Sequence, residues 1–229
     1  KLEKINKLKF RFNKLFYFLF KERFNKTIDF SFPKNINRWD LIKDIINLKG
    51  YKSYLELGCD DDHSFDKIKI DYKIGVDPYS GGNFKGTSDF FFSQNKRKFD
   101  CIFIDGLHEY KQVCKDIQNS LDCLEDNGII LLHDTLPATI HQQAVPRYKI
   151  IWNGDVWKAV VNFRTKLDCD IVTCKIDHGV SVVRKVKNKK KLEIDIKNFQ
   201  NLKFEEFYNN YENYLRVLDY ENVIKYIQN

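Results

Sequence analysis

Two stretches constrain the fold most: "FDCIFIDG" at residues 99–106 and "NGIILLHD" at 127–134. Each is a short apolar, β-branched run that ends abruptly in a carboxylate and is bounded by turn residues. A half-buried strand alternates apolar and polar side chains, so a continuous apolar run predicts a strand covered on both faces. Related runs lie at "YKSYLELG" (51–58) and "YKIGVDP" (72–78), and "DCDIVTCKID" with "GVSVVRK" (168–185) reads as a closing hairpin. Helical patterns separate them. Tyr110, Val113, Cys114, Ile117, Leu121 and Leu124 form one stripe that stops at Asn127-Gly128, and Val156, Trp157, Val160, Val161 and Leu167 form another. Strands alternating with helices predict an α/β fold, a mostly parallel sheet with helices on both faces.

With 229 residues, the chain has room for one such domain and extra helices. The α/β pattern occupies 37–186. Residues 1–36 read as an N-terminal basic amphipathic extension and 187–229 as a C-terminal helical tail, where Phe204, Phe207, Tyr208, Tyr211, Leu215 and Leu218 keep one register through 199–228. In residues 2–24, Leu2, Ile5, Leu8, Phe12, Leu15, Phe16, Leu19 and Phe20 recur at helical spacing between Lys and Arg. Two readings stand for this helix: packing on its own domain or a second subunit, or lying on a membrane surface. The terminal helices thus offer both a homo-oligomer interface and a peripheral membrane contact.

The net charge of +7 permits an acidic partner without requiring one. Much of it lies in residues 1–26 and in "KVKNKKK" at 185–191, expected as a solvated loop. No apolar run approaches the roughly 20 residues that span a bilayer, and "LFYFLF" at 15–20 has no small-residue cleavage site after it. Cysteines 59, 101, 114, 123, 169 and 174 contain no C-x-x-C pair. They read as reduced, mostly buried thiols of a cytoplasmic protein, peripheral to the inner membrane face if the helix lies on lipid. The sequence contains no Met, so Lys1 is expected downstream of the true N-terminus.

In sheets of this kind ligands bind outside the carboxyl ends of the strands, which directs attention to 58–63, 77–79, 105–109, 133–135 and 177–178. The first loop, "LELGCDDDHSF", has the single Gly58 followed by Asp60, Asp61 and Asp62. A dinucleotide fold needs G-x-G-x-x-G so that backbone N–H groups approach a pyrophosphate. Three carboxylates repel a diphosphate, which disfavours NAD, FAD and nucleoside triphosphates. S-adenosylmethionine carries no phosphate but a sulfonium and an ammonium, and an acidic loop suits it. Asp77 ends the second strand, where an acid accepts hydrogen bonds from both ribose hydroxyls; Asp before Pro is also ordinary turn chemistry.

The motifs "YLELG", "IGVDPYSGG", "GTSDFFF", "FDCIFIDGLHEYKQVCKDI", "NGIILLHDTLP" and "WNGDVWKAVV", in this order, resemble class I S-adenosylmethionine-dependent methyltransferases. The branch they are most similar to is the small bacterial O-methyltransferases related to macrocin-type sugar methyltransferases. The resemblance covers roughly residues 37–186. It implies a Rossmann-like seven-stranded sheet with one antiparallel strand, and cofactor contacts from Glu56, Gly58, the loop opening at Cys59, Asp77, Asp105, and Ser88 or Asp89 near the adenine. Relatives often carry a second glycine in the first loop, where this chain has Cys59-Asp60-Asp61-Asp62. Methyltransferases acting on base amino groups carry an Asn/Asp-Pro-Pro-aromatic run where this chain reads "IDGLHEY", so no nucleic-acid partner is expected.

Asp105 and Asp134 end strands expected to be neighbours, about 5 Å apart across the ladder. Such carboxylates repel unless a cation or donors stand between them, and oxygen ligands suit Mg²⁺ or another divalent metal. The resemblance implies that these two acids hold the ion, and that His108, three residues after the first acid, is the general base for a hydroxyl of a small, sugar-like acceptor. Structural readings stand beside these: Asp105 as a helix cap, Asp134 in an Asx turn, His108 on the surface. Thr135 stands where some metal-dependent relatives have an amide, and strand alternation points His133 away from Asp134. His178 reads as a hairpin turn residue or an acceptor contact, and the loop 137–148, with Arg147, as an acceptor lid. Trp152 and Trp157 read as core, with Asp155 capping the helix that follows. Two other function classes remain open: a scaffold that binds S-adenosylmethionine without turnover, and a metal-dependent hydrolase.

Overall fold

The continuous apolar runs form the centre of one mixed sheet. In the computed structural model, which describes residues 7–228, the strands are β1 (Ser53–Leu57), β2 (Tyr72–Asp77), β3 (Phe84–Lys85), β4 (Phe99–Ile104), β5 (Leu124–Leu132), β6 (Asp170–Cys174), β7 (Val180–Arg184) and β8 (Val217–Leu218). Their order is β3-β2-β1-β4-β5-β7-β6-β8, and β7 runs antiparallel to β5 and β6 while the other pairs are parallel. Strand order reverses between β1 and β4, the place where a crevice opens at the carboxyl ends.

Successive side chains serve opposite faces, which is why the central strands are apolar throughout. Leu55, Leu57, Ile102, Ile104, Ile130 and Leu132 join the larger core cluster with α4 (Tyr110–Asp122), α5 (Val156–Arg164) and α6 (Phe204–Leu215). Their neighbours Tyr54, Cys101, Phe103, Ile129 and Leu131 face α2 (Arg38–Lys49) and α7 (Tyr220–Gln228). The short α3 (Ser88–Gln94) follows β3. All six cysteines are free thiols, and five of them are buried.

The Rossmann-like α/β expectation holds, with eight strands in place of seven. The tail explains the difference. The stripe through 199–228 is broken at Arg216, whose φ of +50° ends α6. The chain then crosses from one face of the sheet to the other, and the crossing peptide Val217–Leu218 pairs with β6, covering an edge left open otherwise. Phe207 is fully buried with its ring 4.8 Å from that of Trp157, and Val223 and Ile227 of α7 are fully buried on the opposite face.

At the other end, the predicted helix over 2–24 is α1 (Lys7–Phe20); Leu2 and Ile5 lie outside the described residues. It is followed by an extended strap. The Ile28 N–H donates to the Ala138 carbonyl at 2.9 Å, Glu22 accepts from Gln143 at 2.6 Å and from the Phe204 N–H at 2.7 Å, and Phe30 meets Tyr211 edge-on. Phe207→Ala is expected to cost about 3–5 kcal/mol in urea denaturation. An unchanged midpoint would show that the tail is not part of the core.

Candidate active site

The β4–β5 register sets Ile104 beside Leu132, and the His133 N–H continues the ladder by donating to the Ile104 carbonyl at 3.0 Å. Asp105 therefore lies next to His133, with Asp134 one residue further on. His133 does not point away from Asp134 as strand alternation predicts. Asp134 adopts a left-handed φ of +59°, which ends the alternation and turns both side chains inward: His133 Nδ1 is 3.1 Å from Asp105 Oδ1 and 3.6 Å from Asp134 Oδ2.

His108 stands between the two acids. Its Nε2 is 3.2 Å from Asp105 Oδ1 and its Nδ1 3.3 Å from Asp134 Oδ2. The "WNGDVW" segment holds the ring there. The Trp152 carbonyl lies 3.3 Å from His108 Nδ1 and the two rings pack 5.4 Å apart. Asn153, fully buried, donates from Nδ2 to Asp134 Oδ1 at 2.9 Å. Gly154, at φ +60°, passes so close that a Cβ would fall 1.8 Å from the His108 carbonyl oxygen. Asp155 caps a helix, but not its own: its carboxylate accepts from the Tyr110 N–H at the start of α4 at 2.6 Å and makes no side-chain cap bond to α5. Trp152 thus belongs to the site, whereas Trp157 is core.

The acids are balanced by the chain's own cations. Arg38, the first residue of α2, donates from Nη1 to Asp177 Oδ2 at 2.9 Å and has Nε 3.6 Å from Asp105 Oδ2. His133 Nε2 donates to the Asp177 carbonyl at 2.7 Å. Burial opposes the charge on Arg38, Asp105, His108, His133 and Asp177, yet mutual pairing wins. The Asp105 carboxyl is held well below the usual carboxylate range by both histidines. Burial pulls His108 down, but its bond to Asp105 and the charge of Asp134 lift it above the ordinary histidine value. Asp105 and Asp134 lift His133 in the same way. His108, His133 and Arg38 meet Asp105, Asp134 and Asp177, so the repulsion between the acids is answered before any ion is added. The same residues still offer a compact ligand set: one atom each from Asp105, His108 and Asp134 lie within 4.8 Å of one another, a mixed oxygen and nitrogen set that divalent first-row metals accept.

The β1 end adjoins this cluster. Gly58 takes φ +88°, and a Cβ there would fall 2.3 Å from the Asp105 carbonyl oxygen, so only glycine lets β1 and β4 approach so closely. Glu56 is buried and accepts from the Tyr54 hydroxyl at 2.5 Å. Burial pushes its carboxyl up to about 8, against that hydrogen bond, so it holds a proton at neutral pH. Asp77 accepts four backbone N–H bonds, from Cys59 (3.1 Å), Asp60 (3.0 Å), Tyr79 (2.8 Å) and Ser80 (2.9 Å). It thereby ties the loops after β1 and β2 together.

Of the expected site residues, the structure joins Asp105, His108 and Asp134 in one cluster and Gly58, Cys59 and Asp77 in an adjacent one. Ser88 and Asp89 sit apart from both in their contacts, where Gln112 donates to each, at 3.2 and 3.0 Å, and Lys115 pairs with Asp89 at 3.1 Å. His178 is a turn residue at φ +62°, its ring 5.8 Å from Phe32. Arg147 folds onto its own loop, donating to the Lys149 and Ile150 carbonyls. The Thr135 hydroxyl is buried and unbonded. Sequence reasoning missed Arg38 and Asn153 and did not pair Asp177 with anything; the polar "NG" inside an otherwise apolar segment was the one available signal.

Known proteins share part of this sequence and its fold. Residues 59–135 match a family model described as a methyltransferase domain. No curated protein gives a significant sequence match. Among solved structures, a candidate O-methyltransferase from Klebsiella pneumoniae is 10% identical with a TM-score of 0.52, over 69% of this chain and 84% of that one. An SAH-bound methyltransferase from Podospora anserina is 16% identical with a TM-score of 0.50, over 81% of this chain and 98% of that one. A candidate caffeoyl-CoA O-methyltransferase from Staphylococcus aureus is 17% identical with a TM-score of 0.50, over 68% and 86%. The family match bears out the expectation of a methyltransferase, and the solved structures bear out the fold.

Because His108 and His133 titrate above the unfolded histidine value of about 6.5, their pairing stabilises the fold fully below that pH. The contribution is lost as pH rises through the folded values. Denaturation midpoints should therefore fall as pH is raised above about 6.5 and through the folded-state titration of the two histidines. Asp134→Asn should lower the His108 pKa followed by ring-proton NMR. An unmoved His108 titration in that variant would contradict the pairing.

Proposed function

We propose that this protein is an S-adenosylmethionine-dependent O-methyltransferase that methylates a hydroxyl of a small, sugar-like acceptor. The observation that carries the reading is the His108 ring clasped between Asp105 and Asp134 at the carboxyl ends of β4 and β5, beside the glycine turn after β1. The family match over 59–135 takes in Cys59, Asp77, Asp105, His108 and Asp134.

S-adenosylmethionine supplies the methyl group on sulfonium, ready for in-line transfer to oxygen. The residues that fit it are Glu56, Gly58, Cys59 and Asp77, with Ser88 and Asp89 toward the adenine. Glu56 is suited to the ammonium: its buried acid, protonated alone, ionises when a cation comes beside it. The acidic loop of Asp60–Asp62 lowers the energy of a cationic ligand and raises that of a phosphate. Asp77 holds the loop walls through its four N–H bonds, and a ribose hydroxyl would share its lone pairs.

His108 is the base. With both nitrogens facing carboxylates it holds two protons and cannot accept a third, so the active form is the neutral ring. In that form Nδ1–H donates to the Trp152 carbonyl and Nε2 is the accepting atom. The acceptor hydroxyl would replace the 3.2 Å contact of Nε2 with Asp105 to donate to Nε2, and Asp105 would stabilise the imidazolium as the proton arrives. Asp105 and Asp134 would hold a divalent ion, which would supply a lowered hydroxyl pKa and a fixed orientation, leaving the His108 lone pair free for the proton. Arg38 and His133 keep Asp105 ionised and in place.

Methyl transfer to a panel of glycosides and phenols tests the reading. His108→Ala should lower kcat by about 10²–10⁴-fold and leave S-adenosylhomocysteine affinity unchanged. The wild-type rate should rise with pH through a value above the ordinary histidine range. Turnover undiminished in His108→Ala would remove it as base, and full activity after chelation would remove the metal while leaving the transfer chemistry.

A further inference from the structure

The charge of this chain is concentrated. Residues 1–26 carry nine Lys or Arg against two Glu, which accounts for the whole net charge of +7 and leaves the rest of the chain neutral. Within the described part of that segment, α1 is attached to the protein by a narrow side. Tyr17 is buried with its ring 5.5 Å from that of Tyr148, and Asn13 donates to the Arg147 carbonyl at 2.8 Å.

The opposite side is apolar and in solvent. Phe12, Leu15 and Leu19 recur at i, i+3 and i+7, one stripe of a helix, and are 69%, 55% and 57% exposed. Phe18 and Phe20 widen it at 56% and 71%. Lys9 borders the stripe on one side and Lys7, Arg11 and Lys14 on the other, all exposed. Glu22, the one acid in residues 7–26, is turned inward onto Gln143 and the Phe204 N–H. The free face of α1 therefore presents large apolar side chains framed by cations, with no acid in the helix among the described residues.

We propose that α1 docks this protein on an anionic lipid surface. Phe12, Leu15 and Leu19 enter the boundary between headgroups and acyl chains, while Arg11 and Lys14 meet lipid phosphates. A second copy of the chain is a poor occupant, because a symmetric contact would bring two cationic faces together without an acid on either. Nucleic acid satisfies the cations but leaves the apolar stripe in water, where patches of this kind are uncommon.

Co-sedimentation of the full chain with vesicles tests this. The protein should pellet with phosphatidylcholine vesicles containing about 30% phosphatidylglycerol, stay in solution with phosphatidylcholine alone, and release as salt is raised. Phe12→Ser with Leu19→Ser, and separately Arg11→Glu with Lys14→Glu, should each weaken binding by at least roughly tenfold, with melting curves unchanged because these side chains are exposed. Recovery in the supernatant with anionic vesicles overturns the proposal. So does a dimer in light scattering that Phe12→Ser with Leu19→Ser abolishes, or binding to duplex DNA with no matching affinity for vesicles.

Discussion

His108 is gripped from two sides, and the rest of the site follows from what that grip requires. A ring with carboxylates 3.2 and 3.3 Å from its two nitrogens cannot be placed by one strand end alone. It needs β4 to deliver Asp105 and β5 to overrun by two residues into the left-handed conformation of Asp134. It also needs a third segment to hold the ring's backbone, which is the part played by Gly154 and Asp155. The charge consequence is just as demanding. Three acids drawn together at a strand edge are tolerable only because Arg38, His133 and His108 are drawn there too, each held against its desolvation cost by the others.

Those segments come from all over the chain. The methyltransferase-domain match ends at residue 135, yet Arg38 precedes it and Asn153, Asp155 and Asp177 follow it. The strap after α1 and the crossing tail brace the outer layers that carry these contributors: Glu22 links the strap to both Gln143 and the start of α6. The terminal regions are thus built into the domain as well as flanking it.

The sheet was legible in the sequence because burial on both faces writes itself as uninterrupted apolar runs, and a carboxylate ending such a run marks the edge where chemistry sits. Asp105 and Asp134 stood out for that reason, while the roles proposed for them and for His108 came from the resemblance to the methyltransferase motifs. His133 was misread because alternation holds only while the backbone stays extended, and nothing in "LLHD" announces a positive φ at Asp134. Arg38 was invisible, since a single arginine at a helix start has no pattern to betray it. Asn153 and Gly154 drew no reading between the two tryptophans, because their value lies in contacts with residues 19 and 46 positions away, and no local spacing encodes those. The eighth strand escaped for a similar reason, as Leu218 fits the helical stripe and only the positive φ of Arg216 breaks it.

Methyl transfer here requires one ligand to fit between the Gly58 turn and the His108 clasp. Calorimetric titration of the full chain with S-adenosylhomocysteine, repeated in buffers of different ionisation enthalpy, tests that most directly. This fit predicts saturable binding of one molecule per chain with release of a proton near neutral pH, as Glu56 ionises against the ligand's ammonium. Absence of binding heat at millimolar-scale ligand with no accompanying thermal shift, or binding with no proton released, would contradict it.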